Sequence, residues 1–270
     1  MNVCPPLLIT LRHIAFAALV VRGLLRLNPS IVSIAANLER IQQRIHATCA
    51  RVGRDPGTVQ LLAVSKGMPP EVLREAADCG LTVFGESKVQ EARAKIPLCP
   101  GRLRWQMIGH LQSNKCRDAV HLFEMIQSVD STALAAEINK QADKQAKTMP
   151  ILLEVNLAGE STKFGFRPDA LLAELEAINA LPKIEIHGLM TIAPWTPDPE
   201  KVRPLFRQLR ELKVECESRL GAPLPHLSMG MSGDYEVAID EGATIVRVGT
   251  SLFGARAKVR SAQAAGDGEA

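Results

Sequence analysis

Aromatic side chains are scarce in this chain: they make up 4% of its 270 residues, and Tyr235 is the single tyrosine. No apolar run approaches the roughly 20 residues that cross a bilayer, so no membrane partner is expected. The six cysteines (Cys4, Cys49, Cys79, Cys99, Cys116 and Cys216) show no CxxC spacing, and the histidines form no HExxH pattern. That excludes the common zinc frameworks and reads as reduced thiols in a cytoplasmic protein. Acidic residues are missing from positions 1–31, which carry Arg12, Arg22 and Arg26. Removing those three leaves 29 basic against 29 acidic residues, so the net charge of +3 belongs to that segment. A neutral remainder gives no footprint for nucleic acid.

What the chain does have is apolar material, 46% of residues, with 23% charged, enough to bury a core. Residues 5–27 are apolar with sparse arginine and lack the order of a signal peptide. Residues 1–32 read as an N-terminal extension, either a start-site artefact or a targeting segment that could direct organellar import. The tail 258–270 is small, polar and rich in Gly and Ala, and reads as flexible.

Between these ends helical and strand-like patterns alternate. Apolar residues at helical spacing (Leu38, Ile41, Ile45, Cys49) predict a helix over 35–52. Strands are predicted near positions 59, 81, 103, 125, 151, 184, 226 and 244, each gap holding a helix; Asn114 is placed as the cap of the one after the third strand. Strict alternation implies parallel strands with crossover helices. Eight units over 33–257 fit a single (β/α)8 TIM barrel. The alternative is a doubly wound open sheet, but nothing resembles a GxGxxG loop after a first strand.

Barrels collect function where strands end. Lys66 follows Leu61-Leu62-Ala63-Val64-Ser65 directly, which would set its ammonium at a dry barrel mouth, where desolvation frees the amine to attack an aldehyde. A surface lysine is the plain alternative. Ser228–Asp234 and Val246–Thr250 are Gly-rich turns after strands 7 and 8, where barrels often hold a phosphate; tight turns alone would also explain the glycines. Arg247 ends the last strand and needs a partner, either a carboxylate such as Glu86 or a ring atom of a ligand. Met229 and Met231 could touch a ligand or merely pack. Lys115 and Arg117 could gather a second phosphate or simply begin a solvated helix.

Taken in order, Leu61-Leu62-Ala63-Val64-Ser65-Lys66, Phe84-Gly85-Glu86, Val89-Gln90-Glu91, Ile108-Gly109-His110-Leu111-Gln112-Ser113-Asn114-Lys115, Ser128-Val129-Asp130, Val155-Asn156 with Lys163 and Gly165, Gly188-Leu189-Met190, Leu227-Ser228-Met229-Gly230-Met231-Ser232, and Val246-Arg247 with Gly249, Thr250, Phe253 and Gly254 form a set. The set resembles the pyridoxal 5′-phosphate homeostasis protein family (the YggS/PROSC type), from about Ser33 to Arg256. The resemblance implies a barrel like the N-terminal domain of alanine racemase, holding pyridoxal 5′-phosphate (PLP) as an internal aldimine. By the same resemblance Lys66 looks like the Schiff-base lysine, Arg247 like the partner of the pyridine nitrogen, and Ser232, Gly249 and Thr250 like phosphate ligands. Where the family usually reads Glu-Asn-Tyr, this chain has Glu86-Ser87-Lys88, and Trp105-Gln106 replaces the more usual Trp-His.

PLP acts as an electron sink best when its ring nitrogen is protonated, usually by a carboxylate. An arginine there does not serve as proton donor. A racemase of the alanine racemase type sets a Lys and a Tyr on opposite faces, and here Tyr235 falls in the helix after strand 7. The expected function is therefore intracellular buffering or delivery of PLP without catalytic turnover, as a monomer, with apo PLP-dependent enzymes as possible recipients. The alternatives are a low-activity PLP-dependent amino-acid racemase and a Schiff-base aldolase that uses the phosphate loops for a sugar phosphate.

Overall fold

The computed structural model describes residues 33–160 and 163–254. The expectations for residues 1–32 and the tail 258–270 lie outside them.

Eight strands alternate with helices along the chain: α1 (Ile34–Arg51), β1 (Gln60–Val64), α2 (Pro70–Asp78), β2 (Val83–Glu86), α3 (Val89–Lys95), β3 (Arg104–Met107), α4 (Cys116–Leu122), β4 (Met125–Val129), α5 (Thr132–Lys144), β5 (Met149–Glu154), α6 (Pro168–Asn179), β6 (Ile184–Met190), α7 (Arg203–Leu220), β7 (His226–Met231), α8 (Tyr235–Asp240), β8 (Ile245–Val248) and α9 (Thr250–Phe253). Every strand pairs in parallel with the next, and β8 pairs back onto β1 through Gln60↔Ile245 and Ala63↔Val248. The sheet is a closed barrel, so the open-sheet alternative is excluded.

Strand periodicity divides the apolar residues into two sets. Leu62, Val83, Ile108, Met125, Leu152, Met190 and Ile245, with Val64, fill the barrel interior. Their neighbours, such as Ala63, Phe84, Trp105, Ile126, Leu153 and Val246, point outward under the helices. The outer layer is the larger cluster, as expected of strands covered on both faces. Gly188 has φ +154, and a Cβ there would lie 1.9 Å from the His226 carbonyl oxygen, so only glycine lets β6 and β7 approach at this level.

Helix ends follow local chemistry. Pro begins α2 and α6, where no amide is needed. Ser131 caps α5 by accepting from the Leu134 amide. Asn114 is not a cap: a 3-10 turn over Ser113–Lys115 leads directly into α4 with no side-chain cap. Helix α1, outside the eight βα units, packs on α8 and α9, and the Asn37 amide donates to the Leu252 carbonyl at 2.9 Å. No described helix is long and apolar enough to cross a membrane. The five described cysteines are free thiols; burial pushes Cys116 up to about 12 and Cys216 to about 11, which leaves both inert as nucleophiles.

Candidate functional site at the barrel mouth

The inward positions of β1, β5 and β8 end in charged groups. On β1, Leu62 and Val64 face the interior, and Lys66 continues that alternation one step past the strand. On β8, Ile245 faces inward, and Arg247 lies two residues further toward the mouth. On β5, Leu152 faces inward and Glu154 is its counterpart above. Pairing of β1 with β8 brings the Lys66 and Arg247 strand ends side by side.

Lys66 is exposed, which corrects the expectation of a dry setting. What distinguishes it is its fastening. The buried Lys95 ammonium donates to the Ser65 carbonyl (2.8 Å), Glu86 Oε1 (2.6 Å) and Glu91 Oε1 (2.7 Å), so all three of its protons have partners. Ser65 Oγ also donates to Glu86 Oε1 at 2.7 Å, and the Gly67 amide donates to Glu91 Oε1 at 2.6 Å. The residues on either side of Lys66 are thus tied to one ionic cluster behind the sheet. Burial pushes the Glu86 carboxyl up, against the hydrogen bonds from Lys95 and Ser65. Burial also acts on Glu91, but bonds from Lys95 and the Gly67 amide bring it below the usual range. Glu86 is therefore the partner of Lys95, not of Arg247.

Arg247, 4% exposed, binds neutral oxygens instead. Its Nη1 donates to Ser228 Oγ and its Nη2 to the Thr191 carbonyl, each at 2.7 Å. Burial lowers the guanidinium to about 10, opposed by Glu154 and Asp234. Behind it a directed hydrogen-bond chain crosses the barrel: Ser228 Oγ donates to Gln127 Oε1 (2.6 Å), Gln127 Nε2 to Gln106 Oε1 (2.6 Å) and Gln106 Nε2 to Glu124 Oε1 (3.1 Å). Each amide is oriented by its neighbour, and the Arg247 fork is fixed in turn. Gln106, which departs from the usual Trp-His of the resemblance, thus has a defined place.

Ser232 and the Gly249-Thr250 turn meet at the same end. The Ser251 amide donates to Ser232 Oγ at 3.3 Å, and Ser251 Oγ donates to the Ser232 carbonyl at 3.4 Å. A Cβ on Gly249 would stand 3.3 Å from Val64 Cβ, so this turn lies against the end of β1, two residues before Lys66. All five predicted residues, Lys66, Ser232, Arg247, Gly249 and Thr250, gather at one rim. An amine, a buried guanidinium and a small-residue cradle suit an aldehyde, a ring nitrogen and a phosphate, so the residues present fit PLP.

The other candidates are placed elsewhere. Met229 is fully buried in the outer core and packs there. Arg117 and Arg93 both lean on Asp118, beside a surface cavity of about 370 Å³ lined by Arg93, Lys115 and Asp118. Ser87 lies against Gly109, where a Cβ would meet the Ser87 carbonyl oxygen at 2.5 Å. Tyr235 is buried on α8 with its ring 5.7 Å from the Arg44 guanidinium of α1, in the helix layer outside the barrel. Gln127 and Glu154 lie within β4 and β5 and so escape a reading of the segments that follow the strands, while Thr191, directly after β6, acts through its backbone carbonyl, which no sequence motif marks. A charge inside an apolar run, as in Ile151-Leu152-Leu153-Glu154-Val155, was the available signal.

The closed parallel barrel, with its charged mouth, defines the class: the sequence model of the family described as "Alanine racemase, N-terminal domain" matches residues 32–257. The chain belongs to this family, among the pyridoxal phosphate homeostasis proteins. A relative from Aquifex aeolicus with that name is 48% identical over 220 residues, 81% of this chain and 96% of the relative. One from Pseudomonas aeruginosa is 42% identical over 225 residues, 83% of this chain and 96% of the relative. The solved structure of PipY from Synechococcus elongatus, with PLP bound, matches with TM-score 0.73 and 39% identity, covering 82% of this chain and all of PipY.

Proposed function

We propose that this chain binds PLP through Lys66 and serves PLP homeostasis as a buffer or donor of the cofactor, without catalytic turnover. The observation that carries the reading is the joint presence at the barrel mouth of Lys66, just past the end of β1, and Arg247, on the paired strand β8. Lys66 is the residue that would hold the cofactor, through its aldehyde. Arg247 would face the pyridine nitrogen, while Ser232 Oγ, Thr250 and the Gly249 turn would receive the phosphate. When bound, PLP supplies an electrophilic carbon. The protein's part is to hold it with the ring nitrogen unprotonated, since a guanidinium does not give up its proton to a pyridine. That weakens carbanion chemistry and favours storage over reaction. The position of Tyr235 outside the barrel supports the same reading, because the second base of a racemase has to stand at the mouth. Apo PLP-dependent enzymes are the recipients that a delivering protein requires, and the protein is proposed to act as a cytoplasmic monomer.

Addition of PLP is expected to give a visible absorption band that survives gel filtration, and borohydride reduction followed by peptide mapping is expected to place the label on Lys66. Lys66→Ala should lose both. A label on another lysine, or none, defeats the reading. Incubation of the loaded protein with L-alanine in D2O tests the racemase alternative: Cα deuteration at catalytic rates would replace the carrier reading with an enzyme.

A further inference from the structure

Glu154 has no role in the site so far. It is the last residue of β5, 6% exposed, and inward-facing. Among the described residues no side chain or amide donates to its carboxylate, and no cation lies within ion-pair distance. The nearest strand neighbours explain why. Glu154 registers with Met190 on β6, and Met190 with Ser228 on β7. Arg247 reaches across this same level, but its fork is taken up by Ser228 Oγ and the Thr191 carbonyl. Thr191 Oγ1 is itself committed to the Val155 carbonyl at 2.7 Å. From the β4 side comes a second carboxylate, Asp130, held by His110 Nδ1 at 3.0 Å. Asp234, after β7, also faces Arg247, and Lys66 stands beyond it at the end of β1.

The Glu154 side chain is buried, but its oxygens are not among the fully enclosed unpartnered atoms: the carboxyl has no protein donor and still opens toward the barrel mouth, where a ligand can complete it. We propose that Glu154 is a further ligand-binding residue of the cofactor site, meeting an anionic oxygen of bound PLP as a neutral acid that donates its proton. The inference rests on the PLP reading above. Its chemistry is independently favoured at neutral pH: burial first, then the charge of Asp130, pushes Glu154 up to about 7, with Arg247 opposing. An anion placed beside it raises the group further, so binding takes up a proton. Binding therefore weakens as pH rises above 7, where the empty site holds a carboxylate.

The test compares wild type with Glu154→Gln, which keeps the shape and a donor but does not titrate. PLP affinity is measured from the visible band between pH 6 and 9, and proton uptake by calorimetry in buffers of different ionisation enthalpy. Protonation changes elsewhere in the ligand and the site are common to both proteins and cancel in the ratio of their dissociation constants. That ratio is expected to be near one at pH 6 and to climb above pH 7, by up to about tenfold per pH unit. Wild type should take up more protons than the variant near pH 7.5. A ratio flat across the range, or equal proton uptake, overturns the role of Glu154. Failure of wild type itself to form the borohydride-trappable link at Lys66 overturns the PLP reading instead.

Discussion

Two buried groups of charged side chains flank the β1 end that carries Lys66, and they are built in opposite ways. Behind the sheet, the Lys95 ammonium has three acceptors for three protons, two of them on carboxylates. Inside the mouth, the Arg247 guanidinium rests on two neutral oxygens, while Glu154, on β5 and three strands away round the barrel, has no donor. The first cluster pairs its cation with two carboxylates within the protein, and Glu86 Oε2 is its one buried atom without a partner. The second keeps a positive and an acidic group apart. A closed cluster holds backbone in place; an open one keeps capacity for a ligand. The loop that presents Lys66 is held by the first, and the atoms that would meet the cofactor belong to the second.

Lys95→Ala attacks the closed cluster and should have the largest effect. It strands Glu86, and breaking a buried pair costs about 3–5 kcal/mol, read as a lower urea midpoint. A stability change below about 1 kcal/mol would mean that the cluster does not fasten the segment around Lys66. Glu154→Gln probes the open cluster from the other side. Because the folded carboxyl titrates near 7 against an ordinary 4.5, the folded state holds its proton more tightly. Its contribution is full below pH 4.5 and is lost as pH rises through 7, about 3 kcal/mol at roughly 1.36 kcal/mol per pH unit. The glutamine variant should therefore match wild type near pH 4.5 and exceed it in stability at pH 8. Arg247→Ala should cost about 1–3 kcal/mol, the price of two bereft acceptors. The same change is expected to weaken PLP about 10- to 100-fold, the worth of one charge-assisted hydrogen bond. Smallest is Ser228→Ala, at about 1 kcal/mol, with a modest loss of PLP affinity as the fork loses one support. If it weakened PLP as much as Arg247→Ala, the serine would have to touch the ligand directly.

The barrel was legible because its strands are short apolar runs at regular spacing, bounded by glycine and proline. Closure itself followed from the count of eight units. Boundaries shifted where local signals compete: Asn114 looks like a cap, yet the 3-10 turn before α4 draws on backbone alone. Lys66 and Arg247 could be found because each ends an apolar run. Their surroundings could not. Glu86, 20 residues after Lys66, reads along the chain as a possible partner for Arg247, and only the outward turn of β2 at that residue gives it to Lys95.

Sequence alone determined which residues alternate, and hence the order of strands and helices and the set of polar groups delivered to one rim. That information is local, carried by the two-residue period of each strand and the breakers between them. Tertiary structure decided which charges meet, because pairing across the ring joins residues far apart in the chain. Ser228 reaches Gln127 across 101 positions, and Arg247 reaches Thr191 across 56. Whether a buried charge finds a partner or is left for a ligand depends on those distances, on which the pattern along the chain is silent.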